Sequence, residues 1–467
     1  MNLKRIPAAM LVAGLMSLVL PQVVQASEMD ELKAMVQQLR AEVTQLKEQQ
    51  NKAAAIQAVV PAGAQAATSA SVGSAQGPLS INVGGGTVSL YGNIDEYLNV
   101  MKSSSGGRIN SLQDGAFLRS RLGFKGDRAV ADGYTVKFQL EQGLNLTNGA
   151  AADPAGADTT NGLTTSGRMF DRQAWAGIAT PYGEFRAGRQ NAAIQARGDY
   201  IDFTTRTLGS VVNNFGVPSR YDGDLSWISP RVNGFLAEVH YAIAGSNPVK
   251  GTATTASTVS VTNMGVYQLA LDYLNGPYRV GYAGIVGRPA SGTTYDRNVV
   301  YHNAYANYDY GRGKIYATVV RSNNGGAANG SGALNNLGGN IVSNNPTSTA
   351  AGAGALVSGT DATVNDFYNI WQISADYKIT DKLRVGGLYG KISGPSGQLK
   401  GANGWSLGAY YDIFQNTMIY ALVDSISNET FGAWGPGGSA GLTKKFSGTD
   451  LTGQKIDGIQ TGFVFKF

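Results

Sequence analysis

The chain contains no cysteine and only two histidines, His240 and His302, among its 467 residues. The lack of cysteine excludes disulfide bridges, thiolate metal sites and cysteine nucleophiles. His240 shares a predicted strand face with Glu238, but no serine lies in a pattern that would complete a nucleophilic triad. Asp, Glu and His are not grouped with metal-ligand spacing either. We therefore expect no catalysis, no metal and no cofactor.

Charge and long apolar runs are also scarce. Charged residues make up 15% of the sequence, with 37 Lys and Arg against 32 Asp and Glu. So small a basic excess, without a basic cluster interleaved with aromatics, does not indicate a nucleic-acid partner. After Leu20 no apolar stretch approaches the roughly 20 residues of a transmembrane helix. The 63 glycines and 23 tyrosines instead suit many short strands joined by tight turns.

Residues 1–26 have the layout of a cleaved secretory signal. Lys4 and Arg5 precede an apolar run from Ala8 to Leu20. Small residues follow around Ala26. The alternative, a membrane anchor helix, fits less well because the run is shorter than about 20 residues and is closed by a proline. We predict export, with the mature chain beginning at Ser27.

Residues 27–52 carry a heptad pattern. Apolar residues alternate at spacings of three and four, with Lys, Arg, Glu and Gln between them: Met29, Leu32, Val36, Leu39, Val43 and Leu46. We predict a short periplasmic coiled coil, and a single amphipathic helix lying on another surface is the alternative. About three heptads do not decide between two strands and three. Residues 53–86, rich in Ala, Gly, Ser and Gln, are predicted to form a flexible linker.

From Thr87 onward the pattern changes to the alternation of β-strands. The stretch Ala116–Gly126, taken as a strand, would place apolar residues on one face and cations on the other: Leu118, Leu122 and Phe124 against Arg119, Arg121 and Lys125. Such a strand suits a secreted sandwich as well as an outer-membrane barrel. This stretch alone therefore does not separate the two classes.

The connections between the predicted strands do separate them. Brief turns alternate with long polar loops, and the turns include Asp127–Gly133, Thr180–Gly183, Ser229–Gly234, Asn275–Pro277, Tyr310–Gly313 and Thr380–Lys382. The long loops are Asn148–Gly167, Asn191–Pro218, Gly245–Asn263, Asn323–Asn365 and Asn428–Ile456. Short turns on one rim and long loops on the other are typical of outer-membrane barrels, and a sandwich has no reason for such sorting. With roughly sixteen strands, an even number, the sequence predicts an all-β, sixteen-stranded antiparallel transmembrane barrel over residues 87–467.

Six segments carry a family resemblance: Val88–Asp95, Ser120–Gly126, Phe138–Gly143, Phe170–Gly177, Tyr182–Gln190 and the terminal Phe463–Phe467. They resemble the Gram-negative general porins, particularly those of the beta-proteobacterial and neisserial type. The resemblance implies a trimeric sixteen-stranded barrel whose third loop, here residues 191–218, folds into the channel as its constriction. The predicted coiled coil departs from the plain family pattern.

Strand alternation and this resemblance together define the expected site. The wall candidates are cations that would point inward: Arg119, Arg121, Lys125, Lys137 and Arg172. Arg172 does so only if Trp175 faces lipid or a partner subunit, although Arg121 and Arg172 also match wall arginines of the family motifs. The constriction loop carries Arg197, Asp199, Asp202 and Arg206. Opposed charged walls across a narrow opening create a transverse field, and the wall cations favour anions. The alternative is that these charges only pair with one another and keep the lumen wet.

The leading functional hypothesis is passive diffusion of ions and small hydrophilic solutes through a homotrimeric outer-membrane channel. Its other expected partners are outer-membrane lipid and lipopolysaccharide. A narrower alternative keeps the channel but makes it selective for a solute class such as organic acids. A structural alternative is an envelope tether, in which the coiled coil meets peptidoglycan. An outer-membrane hydrolase is the third alternative, and the histidine count speaks against it.

Overall fold

The computed structural model describes residues 79–151, 169–217, 220–243, 265–287, 299–323, 367–438 and 444–467. The predicted signal peptide, the predicted coiled coil and nearly all of the predicted linker lie outside these residues. Within the described part of the chain, no helix is long and apolar enough to cross a membrane. Almost all regular structure there is β-strand.

The described residues form nineteen strands in one antiparallel sheet system. In chain order they are β1 (Ser80–Val83), β2 (Gly86–Ser103), β3 (Arg108–Asp114), β4 (Arg121–Ala131), β5 (Tyr134–Asn145), β6 (Ala150–Ala151), β7 (Gln173–Thr180), β8 (Gly183–Asn191), β9 (Arg220–Ile228), β10 (Phe235–Ala242), β11 (Val266–Asn275), β12 (Tyr278–Gly287), β13 (Val299–Asp309), β14 (Lys314–Ser322), β15 (Tyr368–Lys378), β16 (Leu383–Ser393), β17 (Ala402–Phe414), β18 (Thr417–Asn428) and β19 (Lys455–Lys466). A 3-10 helix (Gln195–Tyr200) and a short α-helix, α1 (Val211–Phe215), lie between β8 and β9, and a second 3-10 helix (Gly448–Asp450) precedes β19.

The sheet closes into a ring of sixteen strands, as the sequence predicted. Closure is made by β19, which pairs along β2 from Ile456 opposite Ser103 to Lys466 opposite Asn93. β3 and β4 pair with successive halves of β2 and together count as one barrel strand. The short strands β1 and β6 are additions to the ring. β1 also shows that strand pairing begins before the predicted boundary at Thr87.

The connections fall into two classes at opposite ends of the barrel, as predicted. At one end, turns as short as Asp132–Gly133 and Gly276–Pro277 join consecutive strands. At the other end the strands lead into the longer connections, several of which fall largely outside the described residues, and one short connection, Ser104–Gly107, between β2 and β3. The turn predicted at Asp127–Gly133 is shorter than expected because β4 continues to Ala131, and the turn Gln415–Asn416 was not predicted. Short turns belong to the periplasmic end of such barrels and long loops to the outer end.

The outer face of the barrel is apolar. Outward side chains such as Leu98, Val319, Ile373 and Leu407 alternate with inward, buried neighbours and stay more than half exposed in the single chain. This period-2 pattern follows directly from the pleat of a β-strand. Because lipid replaces water around a membrane barrel, an apolar outer belt is the expected surface.

One predicted strand is interrupted. Residues 115–120 leave the wall between β3 and β4, so Ala116–Gly126 is not continuous strand as expected. The cause lies in Asp95 of β2, whose Oδ2 accepts hydrogen bonds from the backbone N–H groups of Phe117 at 2.8 Å and Leu118 at 2.6 Å. A buried carboxylate thus binds amides that would otherwise pair in the ladder. Leu118 packs against the interior cluster rather than on the lipid face, which corrects its predicted orientation.

Candidate functional site

The connection between β8 and β9 folds into the barrel. We call its described residues 192–217 the inner loop. Several of its apolar side chains are fully buried, among them Ile194, Ile201, Phe203 and Phe215. Its backbone is held by side chains of the barrel wall: Thr318 Oγ1 donates to Ile201 O at 2.9 Å, and Arg384 donates to Phe203 O at 2.8 Å. The inner loop therefore crosses the lumen and lies against the strands from β10 to β16, which we call the anchoring wall.

Asp202 is the centre of this attachment. Its Oδ1 accepts from Thr204 N at 2.9 Å and from Arg206 N at 2.9 Å, which closes the loop on itself. Its Oδ2 accepts from Ser210 Oγ at 2.7 Å and from Gln372 Nε2 of β15 at 2.6 Å. Because Asp202 is fully buried and its oxygens are occupied, it holds the loop and does not present its charge to the opening.

The two inner-loop arginines are also bound internally. Arg197 pairs with Glu238 of β10, with 2.7 Å between Nη1 and Oε2. Arg206 donates from Nη1 to Ile194 O at 2.8 Å and from Nη2 to Gln195 Oε1 at 2.6 Å. Both side chains are buried. Of the four charged loop residues named from the sequence, Asp199 alone keeps a partly exposed side chain.

Asp199 lies in the 3-10 helix, on the part of the loop that faces the opposite wall. Burial raises the pKa of its carboxyl above the ordinary aspartate value, while Lys466 and Arg206 oppose the increase. Its charge also acts on Arg121 of β4. Asp199 is thus the acidic group of the inner loop that confronts the cations across the lumen.

The opposite wall carries a dense group of arginines, here called the arginine wall: Arg119, Arg121, Arg172, Arg189 and Arg220. Arg119 Nη2 lies 3.8 Å from Asp171 Oδ2. Arg121 Nε donates to Asn93 Oδ1 at 2.6 Å and lies 3.8 Å from Glu141 Oε2. Arg172 Nε donates to Glu141 Oε1 at 2.6 Å. The structure thus brings together three of the wall residues named from the sequence.

Arg172 reaches this wall by a route that the sequence did not predict. The expected condition was an outward Trp175, but Trp175 is buried and its ring lies 4.3 Å from the guanidinium of Arg186. Strict alternation would then turn Arg172 outward. Arg172 instead precedes β7, where the alternation does not apply, and its backbone N–H donates to Glu141 O at 3.1 Å. This backbone contact places the side chain of Arg172 in the lumen.

Arg189 is brought inward by a β-bulge. The register between β8 and β9 shifts between Gly188 and Gln190, and Gly188 has φ +131°. A bulge re-aims the side chains that follow it. Arg189 consequently pairs with Asp222, and its Nε donates to the carbonyl of Asp171. Strand alternation does not predict an inward Arg189. The only signal in the sequence is the preceding glycine, Gly188, which allows a bulge.

Arg220 is the first residue of β9. It is buried beside Arg172, Arg189 and Glu141, and its charge interacts with theirs. Its Nε has no hydrogen-bond partner among the described residues. In the part of the chain that the structure describes, the ion pairs of the arginine wall involve three carboxylates, those of Glu141, Asp171 and Asp222.

The two lysines named from the sequence lie nearer the turn end of the barrel. Lys125 is exposed on β4, with its ammonium 5.5 Å from the ring centre of Tyr91. Lys137 Nζ lies 2.7 Å from Glu184 Oε2. Both side chains face inward, but they belong to the wall below the arginines. Lys137 shares the carboxylate of Glu184 with Arg186.

His240 occupies a different part of the lumen. Its Nδ1 lies 2.7 Å from Asp224 Oδ2, and its Nε2 lies 2.8 Å from Glu238 Oε1. Glu238 also binds Arg197, so this chain of charges fixes the inner loop to β10. Both ring nitrogens are bound to carboxylates rather than to a serine. Within the described ranges, no group of three metal-ligating side chains is found.

Comparisons with known proteins agree with this architecture. The family model described as Gram-negative porin matches residues 53–430. An outer membrane porin protein of Bordetella pertussis is 27% identical over 179 residues, which cover 37% of this chain and 42% of that protein. The major outer membrane protein P.IB of Neisseria meningitidis is 26% identical over 206 residues, 43% of this chain and 54% of that protein. The chain thus spans about half the length of these relatives. The solved structure of an anion-selective porin from Comamonas acidovorans superposes with a TM-score of 0.60 at 17% identity, covering 82% of this chain and 100% of that one.

Proposed function

Because the chain belongs to the Gram-negative porin family, we propose that it forms a water-filled channel for passive diffusion of ions and small hydrophilic solutes. The family and the closed barrel place it in the outer membrane. Solutes would pass between the inner loop and the arginine wall, down their own gradient and without turnover. Neither histidine of the chain supports a hydrolase site, since the described partners of each are not serine.

The observation that carries an anion preference is the charge imbalance at this opening. Within the described part of the chain, five arginines lie together here, their ion pairs involve three carboxylates, and Asp199 of the inner loop faces them. A charge in a narrow opening acts through a lower effective dielectric constant than in bulk water, so an uncompensated cation is felt more strongly there. The field attracts anions and repels cations. The name of the Comamonas structure, an anion-selective porin, supports the same direction.

The experiment that tests the channel is single-channel recording of the purified, folded protein in a planar bilayer. We expect stepwise conductance, with steps in groups of three if the protein is the homotrimer that its family resemblance implies. Liposome swelling in small neutral sugars would report passage of uncharged solutes. A folded barrel that shows neither current nor swelling would contradict the proposal and indicate a plugged channel.

A solute-selective channel, for example for organic acids, would use the same arginine wall. It differs in one measurable respect, because a solute that binds within the opening blocks the ion current in a saturable way. Simple diffusion predicts block that grows only in proportion to solute concentration. Titration of the current with mono- and dicarboxylates separates the two.

The remaining proposals concern the N-terminal segments: a signal peptide over residues 1–26, a coiled coil over 27–52 and a linker after it. Deletion of residues 27–78 keeps β1 and the whole barrel. If the coiled coil is a tether to peptidoglycan, this variant conducts normally but loses envelope attachment. If the coiled coil instead stabilises the trimer, the variant forms a less stable trimer.

A further inference from the structure

The connection between β18 and β19 also turns into the mouth of the barrel. We call its described residues 429–438 and 444–454 the final loop. The sequence predicted only a long polar loop here, from Asn428 to Ile456. The segment Ala433–Gly438 is mostly buried, and the side chain of Trp434 is only 2% exposed. A loop that merely extended into the medium would have no reason to bury an indole ring.

Trp434 packs against both the inner loop and the wall. The centre of its ring lies 5.3 Å from that of Phe215 in α1 and 5.5 Å from that of Tyr368 in β15. The indole Nε1 donates to Lys400 O at 2.7 Å, so the polar atom of the buried ring has an acceptor. The backbone N–H of Trp434 donates to Asn428 Oδ1 at 2.8 Å. These contacts fix Trp434 between α1 and the strands from β15 to β18.

The final loop also binds the end of α1 through Gly437. The side chain of Asn213 donates from Nδ2 to Gly437 O, and Gly437 N donates to Asn214 Oδ1 at 3.1 Å. On its other side, α1 is held by β15, where Gln372 Oε1 accepts from Val212 N at 3.0 Å. The final loop, which comes from the outer end of the barrel, therefore closes over this part of the inner loop.

The far end of the buried segment reaches the wall beside β3. A Cβ built on Gly438 would lie 2.9 Å from Gly115 O, so the two backbones are in close contact. Farther along the loop, Gln113 Nε2 of β3 donates to Lys444 O at 3.3 Å. Round the ring, β16 to β19 and β2 lie between Tyr368 of β15 and this contact with β3. The final loop thus spans the mouth of the barrel between β15 and β3.

The buried segment carries no charge. Its sequence from Ala433 to Gly438 is A-W-G-P-G-G. The charges that act on ions lie deeper, on the arginine wall and on Asp199 of the inner loop. This segment can therefore exclude solutes by their size, but it has no means of sorting them by charge.

We propose that the final loop is a second constriction at the outer mouth, in series with the inner loop, and that Trp434 is the residue that positions it. The final loop sets the largest solute that can enter, whereas the arginine wall sets the ion preference. The inference rests on the proposed function, since it requires a conducting channel. The inner loop keeps its own attachments through Asp202 and Gln372, so loss of the Trp434 ring releases the final loop alone.

The test compares the full-length folded protein with the variant Trp434→Ala in planar bilayers. Loss of a buried indole leaves a cavity and favours local opening of the final loop. Neutral polyethylene glycols of increasing size are added to the bath, and the smallest polymer that no longer lowers the conductance marks the size limit. We expect this limit to move up by at least one polymer size in Trp434→Ala. The reversal potential in a potassium chloride gradient should stay unchanged.

Two further variants serve as controls. Phe431→Ala removes an exposed ring from the same loop and should leave the size limit where it is. Trp434→Phe loses the hydrogen bond to Lys400 O but keeps an aromatic ring against Phe215, so it should retain most of the barrier. An unchanged limit in Trp434→Ala, or an equal change in Phe431→Ala, would overturn the second constriction. A shift of the reversal potential together with the limit would assign the effect to the inner loop and also contradict the proposal.

Digestion with trypsin tests the position of the final loop without any current. Lys444 and Lys445 are exposed in this loop, and a protease cleaves there when the surrounding segment opens. Cleavage after these lysines, followed by mass spectrometry, should be at least about tenfold faster in Trp434→Ala than in the unmodified protein. Equal rates would overturn the positioning role of Trp434. Absence of current in every form would refute the channel and the second constriction, whereas the digestion would still decide whether Trp434 holds the loop.

Discussion

The two walls of the lumen use charge in different ways. On the anchoring wall, carboxylates bind the cations and tyrosines around them: Asp272 lies between Arg231 and Arg279 and accepts from Tyr305, and Asp376 lies 3.2 Å from Arg384. Arg384 in turn holds the backbone of the inner loop. On the arginine wall, five arginines share three carboxylates among the residues that the structure describes. One wall therefore fixes the loop, and the other is left with charge that can act on ions.

The difference explains why the same residue types have different effects at different positions. Two inward arginines of the channel illustrate this. Arg197 is paired with Glu238. Arg121 lies 3.8 Å from the carboxylate of Glu141, which it shares with Arg172. Removal of the first should disturb the loop, and removal of the second should disturb selectivity. The expected effects below run from the largest to the smallest.

Asp202→Ala should have the largest effect because it releases the inner loop from the anchoring wall. The substitution leaves the buried donors Ser210 Oγ, Gln372 Nε2 and two backbone N–H groups without their acceptor. At about 1–3 kcal/mol for an unsatisfied buried group, we expect a loss of at least about 3 kcal/mol of stability. Thermal unfolding measures this loss, and a larger single-channel conductance would show that the loop has left the wall. The exposed Asp412→Ala serves as the control, and an unchanged melting temperature for Asp202→Ala would contradict the anchoring role.

Gly188→Val should rank second, since it attacks the bulge that supplies Arg189. The left-handed φ of +131° disfavours a branched residue, and a Cβ there would lie 2.3 Å from Ala174 O. We expect poorer assembly and, in the fraction that folds, a weaker anion preference. Yield of folded barrel and reversal potential are the two measurements. Full assembly with unchanged selectivity would show that the bulge does not place Arg189 in the opening.

Arg121→Glu should shift selectivity without unfolding the barrel. The change moves two charge units at a site that faces Asp199. Even with water-like screening over about 5 Å, each unit is worth about 0.8 kcal/mol, so the anion-to-cation permeability ratio should fall by at least about tenfold. Reversal potentials in a salt gradient report the ratio. Arg231→Glu, in the turn before β10 and paired with Asp272 of the anchoring wall, is the comparison, and an equal shift from both variants would remove the distinction between the walls.

The smallest expected effect is a pH dependence that comes from Asp199. Because burial raises its pKa, this carboxyl takes up a proton at a higher pH than an ordinary aspartate, whose pKa is about 3.9. Protonation removes a negative charge that opposes the arginines, so the anion preference should rise as the pH falls through the raised pKa of Asp199. Asp199→Asn should give the higher preference at every pH and lose this step. Persistence of the same step in Asp199→Asn would assign it to another group.

The barrel could be predicted from the sequence because each of its signals is local. Alternation within a strand, brief turns such as Ser229–Gly234 and the length of the loops require no knowledge of distant residues. Alternation predicted the inward Arg121, and the family resemblance alone pointed to Arg172, whose alternation condition was wrong because Trp175 is buried. The predictions that were wrong concern features that depend on contacts between distant segments. The carboxylate of Asp95 pulls residues 115–120 out of the wall, and a bulge at Gly188 turns Arg189 inward.

The inner loop shows the same division. Its position and its charged residues were predicted, but the roles of those residues depend on partners far along the chain. Asp202 meets Gln372, and Arg197 meets Glu238. No spacing within residues 191–218 distinguishes these buried charges from Asp199. The three-dimensional structure is needed to separate the residues that hold the loop from the one that faces the opening.

The central claim is that the arginine wall sets the ion preference of the channel. The most direct measurement compares reversal potentials of the unmodified protein and of a variant with Arg121, Arg172 and Arg220 replaced by Gln, in a planar bilayer under a potassium chloride gradient. The account predicts an anion-favouring potential that falls to zero or reverses in the variant, with conducting channels in both. A cation-favouring unmodified channel, or a variant with an unchanged potential, would contradict it.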